Sequence, residues 1–235
     1  RAVIEAIKKG KTIDKILVKK GLNNDLFNEL QVLITENDIV VQAVPVEKIN
    51  RITRKNHQGV LAFISPIVFD NIENVLPGIY ESGQDPLLLI LDQITDVRNF
   101  GAILRTAECT GVDAIIIPNQ GSAPLNADAI KTSAGAAFKI PICKVNHLLD
   151  AIYQLQAENI QIVAITEKTE QNIYQADFSK PTALIMGSEY KGISPSILKI
   201  ADMKAKLPLL GEIESLNVSV ACGVALYEVV RQRQD

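Results

Sequence analysis

Six short, nearly unbroken apolar stretches, at residues 87–91, 114–117, 140–143, 160–165, 183–186 and about 203–207, limit the folds open to this chain. Each has strand length, and helical patterns fall between them at about 100–110, 126–133, 148–158 and 195–200. A strand apolar at successive positions has both faces covered, whereas a sheet with one wet face alternates. The pattern predicts an α/β domain with a mostly parallel sheet between two helical layers, which binds ligands at the carboxyl ends of its strands. With 235 residues, 47% of them hydrophobic, the chain can build such a core.

The first 65 residues form a separate pattern: helix over 1–9, strand over 13–18, and a helix capped by Asn23 or Asn24 running to about residue 35. A strand over 39–44, a short helix opened by Pro45 and a strand over 60–65 follow. The expected organisation is a small α/β domain over 1–65, a linker over 66–86 and a larger domain over 87–235. Pro66, Pro77, Gly78, Gly83 and Pro86 mark the linker, while Ile67, Phe69, Ile72 and Leu76 predict that part of it packs. The net charge of −3 conceals an asymmetry: residues 1–60 carry 11 Lys and Arg against 7 Asp and Glu, and the remainder 13 against 20. A basic module on an acidic one suits a polyanionic partner. No apolar run approaches 18 residues and no signal-peptide pattern is present, so no membrane span is expected. The chain opens at Arg1 directly in a helical pattern, so its start is expected to be trimmed. Cys109, Cys143 and Cys222 have neither metal-ligand spacing nor an even count, which predicts no bound metal, no disulfide framework and a reducing cytoplasm.

Three stretches carry chemistry. The last, Leu207-Pro208-Leu209-Leu210-Gly211-Glu212-Ile213-Glu214-Ser215-Leu216-Asn217-Val218-Ser219-Val220-Ala221, breaks at Pro208 and Gly211 and re-enters order at Ser215. From Val218 to Val230 the side chains are almost all apolar or small, so a buried helix is expected, with Ser215 or Asn217 as its cap. The first, Asp92 to Ala107, follows an apolar strand and opens a helix whose stripe is Phe100, Ile103, Leu104 and Ala107. Asn99 could cap that helix, and Arg105, near the stripe's buried edge, would need partners. The middle one, Gly187-Ser188-Glu189-Tyr190-Lys191-Gly192-Ile193-Ser194, also follows an apolar strand. Its glycines have P-loop spacing, but Ile193-Ser194 stands where the lysine and hydroxyl of a P-loop belong, which argues against a triphosphatase. No G-x-G-x-x-G occurs, which argues against a dinucleotide enzyme.

Taken in order, these stretches resemble the three motifs of the SpoU/TrmH family of AdoMet-dependent RNA 2′-O-methyltransferases. The resemblance covers the larger domain, and a weaker one links residues 1–7 and 56–60 to the RNA-binding amino-terminal domain of the RlmB-like branch. Val97 departs from the proline the family places before its asparagine. The resemblance implies a SPOUT fold with a C-terminal trefoil knot, a homodimer with its site near the interface, and methyl transfer from AdoMet to a ribose 2′-hydroxyl. It implies a guanosine of large-subunit ribosomal RNA as substrate, with transfer RNA as the alternative. It places Asn99, Arg105, Glu189, Ser215 and Asn217 in the catalytic set. Gly187, Leu207 and Leu216, with Thr166 as an addition, would line the cofactor pocket. Lys8, Lys9, Lys11, Arg54, Lys55 and His57 would contact RNA, although the lysines could equally be a solvated face and His57 a turn residue.

Family reasoning makes the arginine the general base. A charged guanidinium has no lone pair to offer, so stabilisation of developing oxyanion charge is the favoured role for Arg105. Two other classes stay open: a catalytically inactive RNA-binding assembly factor, which the intact polar set opposes, and a small-molecule α/β enzyme, which the missing glycine fingerprints oppose.

Overall fold

The structure, a computed structural model, describes residues 1–234. The chain divides into two compact units, Arg1–Val68 and the residues from Phe69 onward.

The small unit contains helix α1 (Ala2–Lys8), strand β1 (Ile13–Lys19), helix α2 (Asp25–Glu36), strand β2 (Val41–Val44), helix α3 (Val46–Ile52) and strand β3 (Val60–Ile64). The sheet order is β2-β1-β3, with β2 parallel and β3 antiparallel to β1. Side chains of a strand alternate between faces. Ile16 and Val18 therefore pack with Ile4, Ile7 and Leu30 of α1 and α2, while Leu17 packs on the other face with Val44 and with Ile49 of α3. Asn24 caps α2 by accepting from the Phe27 amide at 2.9 Å.

The larger unit begins with helix α4 (Ile72–Glu81), where the sequence reading placed a linker. Ile72, Leu76 and Ile79 of α4 are buried in its core, and Asp70 bridges to Cys143. Pro77 and Gly78 are tolerated inside this helix because its other face supplies a strong apolar stripe. Strands β4 (Leu87–Asp92), β5 (Ala114–Pro118), β6 (Ile142–Val145), β7 (Gln161–Ile165), β8 (Thr182–Gly187) and β9 (Met203–Ala205) form one sheet in the order β6-β5-β4-β8-β7-β9. Every pairing is parallel. All six residues of β4 and of β8 are buried, as strands central to a two-sided sheet require.

Helices α5 (Val97–Cys109), α6 (Ala127–Thr132), α7 (Leu148–Ala157), α8 (Pro195–Ile200) and α9 (Val218–Gln234) complete the unit. One face of the sheet packs on α4, α7 and α8. The chain winds outward from β4 through β5 to β6, then returns to fill the other side of β4 with β8, β7 and β9. Strand order thus reverses between β4 and β8, and the crevice at their carboxyl ends is where such sheets bind ligands.

Helix α9 differs from expectation. It buries Val218, Cys222, Ala225, Leu226 and Val229 but leaves Val220, Val224 and Tyr227 at 52%, 38% and 56% exposure. One face packs on α5 and β8, and the opposite face, though apolar, is open. Its end is fastened by Arg233, which donates to the main-chain carbonyls of Asp85, Pro86, Phe178 and Lys180.

Candidate functional site

Three loops converge at the β4–β8 crevice. Asp92 ends β4, is buried, and its Oδ2 accepts from the Ser194 amide at 2.6 Å, tying the segment after β8 to the end of β4. Asp96 caps α5 by accepting from the Asn99 amide at 2.8 Å. Asn99 is therefore not the cap; it stands in the first turn with its side chain released for other contacts. Val97 occupies the first helical position, where proline is favoured because its fixed φ suits the helix and its missing N–H is not needed. Gly101 has a packing reason: a Cβ there would lie 2.7 Å from Thr132 Cβ and 2.8 Å from the Ala129 carbonyl of α6.

After β8 the chain turns tightly. Ser188 and Gly192 exchange backbone hydrogen bonds of 3.2 and 2.8 Å, and a Cβ on Gly187 would meet Gly192 C and Ile193 N at 2.2 Å. The backbone that requires a glycine here is thus the chain's own. The turn presents Glu189 outward. Its Oε1 accepts from Asn99 Nδ2 at 2.7 Å and from Asn217 Nδ2 at 2.8 Å, and Asn217 Nδ2 also donates to Asn99 Oδ1 at 3.0 Å. The other face of Asn217 caps α9: Oδ1 accepts from the Ser219 amide at 3.0 Å and the Ser219 hydroxyl at 2.6 Å. Residues 99, 189 and 217, one from each motif, form a closed hydrogen-bonded triangle. Among the described residues, Glu189 Oε2 accepts no hydrogen bond, so one carboxylate oxygen is available to a donor from outside.

Beside this triangle lies a cavity of about 440 Å³. All four residues assigned to a cofactor pocket, Thr166, Gly187, Leu207 and Leu216, line it, as do Glu189 and Ser215. Thr166 is buried at the end of β7, its hydroxyl accepting from the Lys168 amide at 3.2 Å. The loop over residues 207–216 forms the outer wall. Among the described residues, no intrachain hydrogen bond uses the backbone of that loop. A wall of unpaired amides and carbonyls with Leu207 and Leu216 offers both an apolar slot and edges to read. Ser215 is exposed and, among the described residues, makes no hydrogen bond.

Arg105 stands apart. It is exposed, and among the described residues it has no hydrogen bond or ion pair. It lies six positions after Asn99 in the helix, about 9 Å along the axis and about 240° around it. The helical rotation carries it past the edge of the buried stripe, so the partners expected for it are not needed.

In the small unit the residues assigned to RNA fall into two groups. Lys8, Lys9 and Lys11 lie at the end of α1 and before β1, where Lys8 pairs with Glu29 at 2.7 Å. That pairing raises the Lys8 ammonium and lowers the Glu29 carboxyl relative to their ordinary values. Arg54, Lys55 and His57 follow α3. His57 organises the turn: its Nδ1 accepts from the Gly59 amide at 3.0 Å, so Nε2 carries the proton and donates to Asn50 Oδ1 at 2.8 Å. Sequence reasoning passed over Asp92 and Asp96. Both sit in the first motif, and only the tertiary pairing of Asp92 with Ser194 reveals its task.

Among the described residues, no group of three or more His, Cys, Asp or Glu could hold a metal, and no helix is long and apolar enough to cross a membrane. Residues 86–227 match the SpoU rRNA methylase family, and residues 1–68 match the RNA 2′-O ribose methyltransferase substrate-binding family. A protein of Staphylococcus saprophyticus assigned to the TrmH family of tRNA/rRNA methyltransferases is 36% identical over 99% of this chain and 93% of its own. The 23S rRNA (guanosine-2′-O-)-methyltransferase RlmB of Pseudomonas aeruginosa is 43% identical over 75% of this chain and 71% of its own. Among solved structures, an AdoMet-bound rRNA methyltransferase from Sinorhizobium meliloti superposes with a TM-score of 0.63 at 25% identity, covering 97% of this chain and 84% of its own. The SpoU methyltransferase AviRb from Streptomyces viridochromogenes shares the fold, with a TM-score of 0.65 at 22% identity over 99% of this chain and 87% of its own. With the family matched over more than half its length, and one residue of each of the family's three motifs meeting at the crevice, this chain belongs to the SpoU rRNA methylase family.

Proposed function

We propose that the chain transfers a methyl group from AdoMet to a ribose 2′-hydroxyl of RNA, most directly a guanosine of large-subunit ribosomal RNA. The observation that carries this reading is the Asn99–Glu189–Asn217 triangle beside a cavity walled by unpaired backbone. The residues present fit the cofactor. Leu207 and Leu216 suit a flat purine, the loop amides and carbonyls its edges, and the carboxylates of Glu189 and Glu214 a ligand carrying positive charge. Bound AdoMet supplies an electrophilic methyl on its sulfonium.

Glu189 is held by two amides so that Oε2 faces outward, where it can accept from a ribose hydroxyl and fix its orientation. Orientation of this kind lowers the barrier by removing motions the reactants would otherwise have to lose. Ser215, on the cavity rim, offers a second hydrogen bond. Arg105 serves as the cation for developing oxyanion charge and for phosphate. It shares a face of α5 with Ala102, and Ala102 borders an open groove with Val220, Gly223 and Val224 of α9. A second copy of the chain seated on this groove makes a homodimer and brings Arg105 to the interface. The trefoil knot belongs to the same reading: β9 lies at the sheet edge while α9 packs back near its centre, so residues 206–217 cross the carboxyl end of the sheet. A reducing cytoplasm suits an RNA-modifying enzyme with three free cysteines.

Calorimetric titration of AdoMet tests the pocket. Binding to the wild type and at least tenfold weaker binding after Leu216→Asp support it; no binding by a folded chain, with or without RNA, favours the inactive RNA-binding factor.

A further inference from the structure

The positive charge of the small unit is concentrated on one side. Lys19, Lys20, Lys48, Arg51, Arg54 and Lys55 lie on α3, on the strand end beside it, or in the turns that bracket it, and Glu47 is the only acid among them. The grouping is spatial. The Lys20 amide donates to the Val44 carbonyl just before α3, the Lys19 amide donates to the Gly59 carbonyl, and His57 joins that turn to Asn50 of α3. All six cations are exposed, and among the described residues none has an ion pair or a side-chain hydrogen bond. Lys15, on the same sheet face, lies over the Phe63 ring at 5.1 Å. The rest of the unit holds four further cations, Arg1, Lys8, Lys9 and Lys11, against six acids: Glu5, Asp14, Asp25, Glu29, Glu36 and Asp38. One of the four, Lys8, is already held by Glu29. Lys9 and Lys11 precede the start of β1 and Lys19 and Lys20 stand at its far end, the seven-residue strand being about 20 Å long.

Resting on the methyltransferase reading, we propose that the α3 side of the small unit is the surface that grips the ribose-phosphate backbone of the RNA. Arg51, Arg54 and Lys55 are the phosphate contacts, and Lys19 and Lys20 extend the track. Lys8, Lys9 and Lys11 take no part. Arginine forks and lysine ammonium groups that hold no protein partner release counterions when they meet phosphate, and this drives non-specific nucleic-acid affinity. Around α1, where acids outnumber cations and Lys8 is already paired, the net attraction for phosphate is weaker. Helix α3 also explains why the cations stay outward: Ile49 anchors it to the sheet, fully buried, so Arg51 and the turn after it are directed away from the core.

Two double reversals with the same change in net charge separate this surface from overall electrostatics: Arg51→Glu with Arg54→Glu, and Lys9→Glu with Lys11→Glu. Binding of each full-length variant to a labelled hairpin transcribed from large-subunit ribosomal RNA is measured by fluorescence anisotropy over a range of salt. The α3 variant is expected to lose roughly tenfold or more in affinity, with a salt slope shallower by about 1.5, as the loss of two phosphate contacts dictates. The α1 variant is expected to stay within about threefold of wild type. AdoMet titration, unchanged in both, reports an intact larger unit. Equal losses in the two variants, or a greater loss in the α1 variant, overturn the placement. A wild-type chain that binds AdoMet but not the hairpin overturns the RNA reading itself, and the placement with it.

Discussion

Asn217 holds two structures with one side chain: its Oδ1 caps α9 while its Nδ2 fixes Glu189 and Asn99. The two tasks separate by substitution. Asn217→Ala removes both and should cost about 1 kcal/mol of stability, the usual value of an N-cap, together with methyl transfer. Asn217→Asp keeps a good cap but replaces the donor with a second carboxylate facing Glu189. It should unfold at the wild-type denaturant midpoint and still lose most of its activity; full activity would show that the triangle does not matter. Gly187→Ala forces a Cβ into the backbone of Gly192 and Ile193, and should cost at least about 3 kcal/mol or prevent folding. Arg105→Lys and Arg105→Ala, compared across pH, decide the arginine's role. Charge stabilisation predicts partial rescue by Lys with no new low-pH limb, whereas a base role predicts one. These residues were legible in the sequence as types at a spacing, but not their partners. Asn99 looked like a cap until Asp96 was seen to fill that place, because both stand where a helix start is legible and only the backbone geometry chooses between them.

Among the elements, the strands of the larger unit were the most legible, since burial on both faces leaves an apolar run that no surface strand shows. Helix α4 was not. Proline and glycine at 77 and 78 signal a break, and only the apolar faces of α4 and the sheet, meeting in three dimensions, outweigh that local cost. Helix α9 misled in another way. A helix that covers its own core on one face and a second chain on the other has the same all-apolar sequence as a helix buried in one molecule. Its open face, Val220, Val224 and Tyr227, therefore carries the dimer prediction. Val224→Glu should convert a dimer to a monomer in light-scattering chromatography and abolish methyl transfer. A variant that remains a dimer would place the interface elsewhere. The loop over 207–216 was legible as a motif broken by Pro208 and Gly211, but not as a cavity wall, because among the described residues its backbone pairs with nothing.

For the whole molecule, the buried thiols set an alkaline limit. Burial pushes Cys222 up to about 12, and burial, with the nearby Asp70 carboxylate, does the same to Cys143. Above the ordinary thiol value of 9 the unfolded chain loses these protons while the folded chain keeps them. The folded state then binds more protons, so stability falls as pH rises from about 9 through about 12. Denaturant midpoints measured across that range should decline, and Cys222→Ala should flatten the decline; an unchanged slope would show that other groups govern it. The division of the chain into a basic reader and an acidic catalyst was legible as a charge asymmetry, but which side of the reader carries the charge required the fold. Ribose 2′-O-methylation is read by incubating the chain with methyl-labelled AdoMet and unmodified large-subunit ribosomal RNA, followed by alkaline hydrolysis. A 2′-O-methyl group blocks cleavage of its own phosphodiester. Label is therefore expected in an alkali-resistant dinucleotide with wild-type protein and not with Glu189→Ala; label recovered on a base, or equal transfer by both proteins, would rule out ribose methylation through this site.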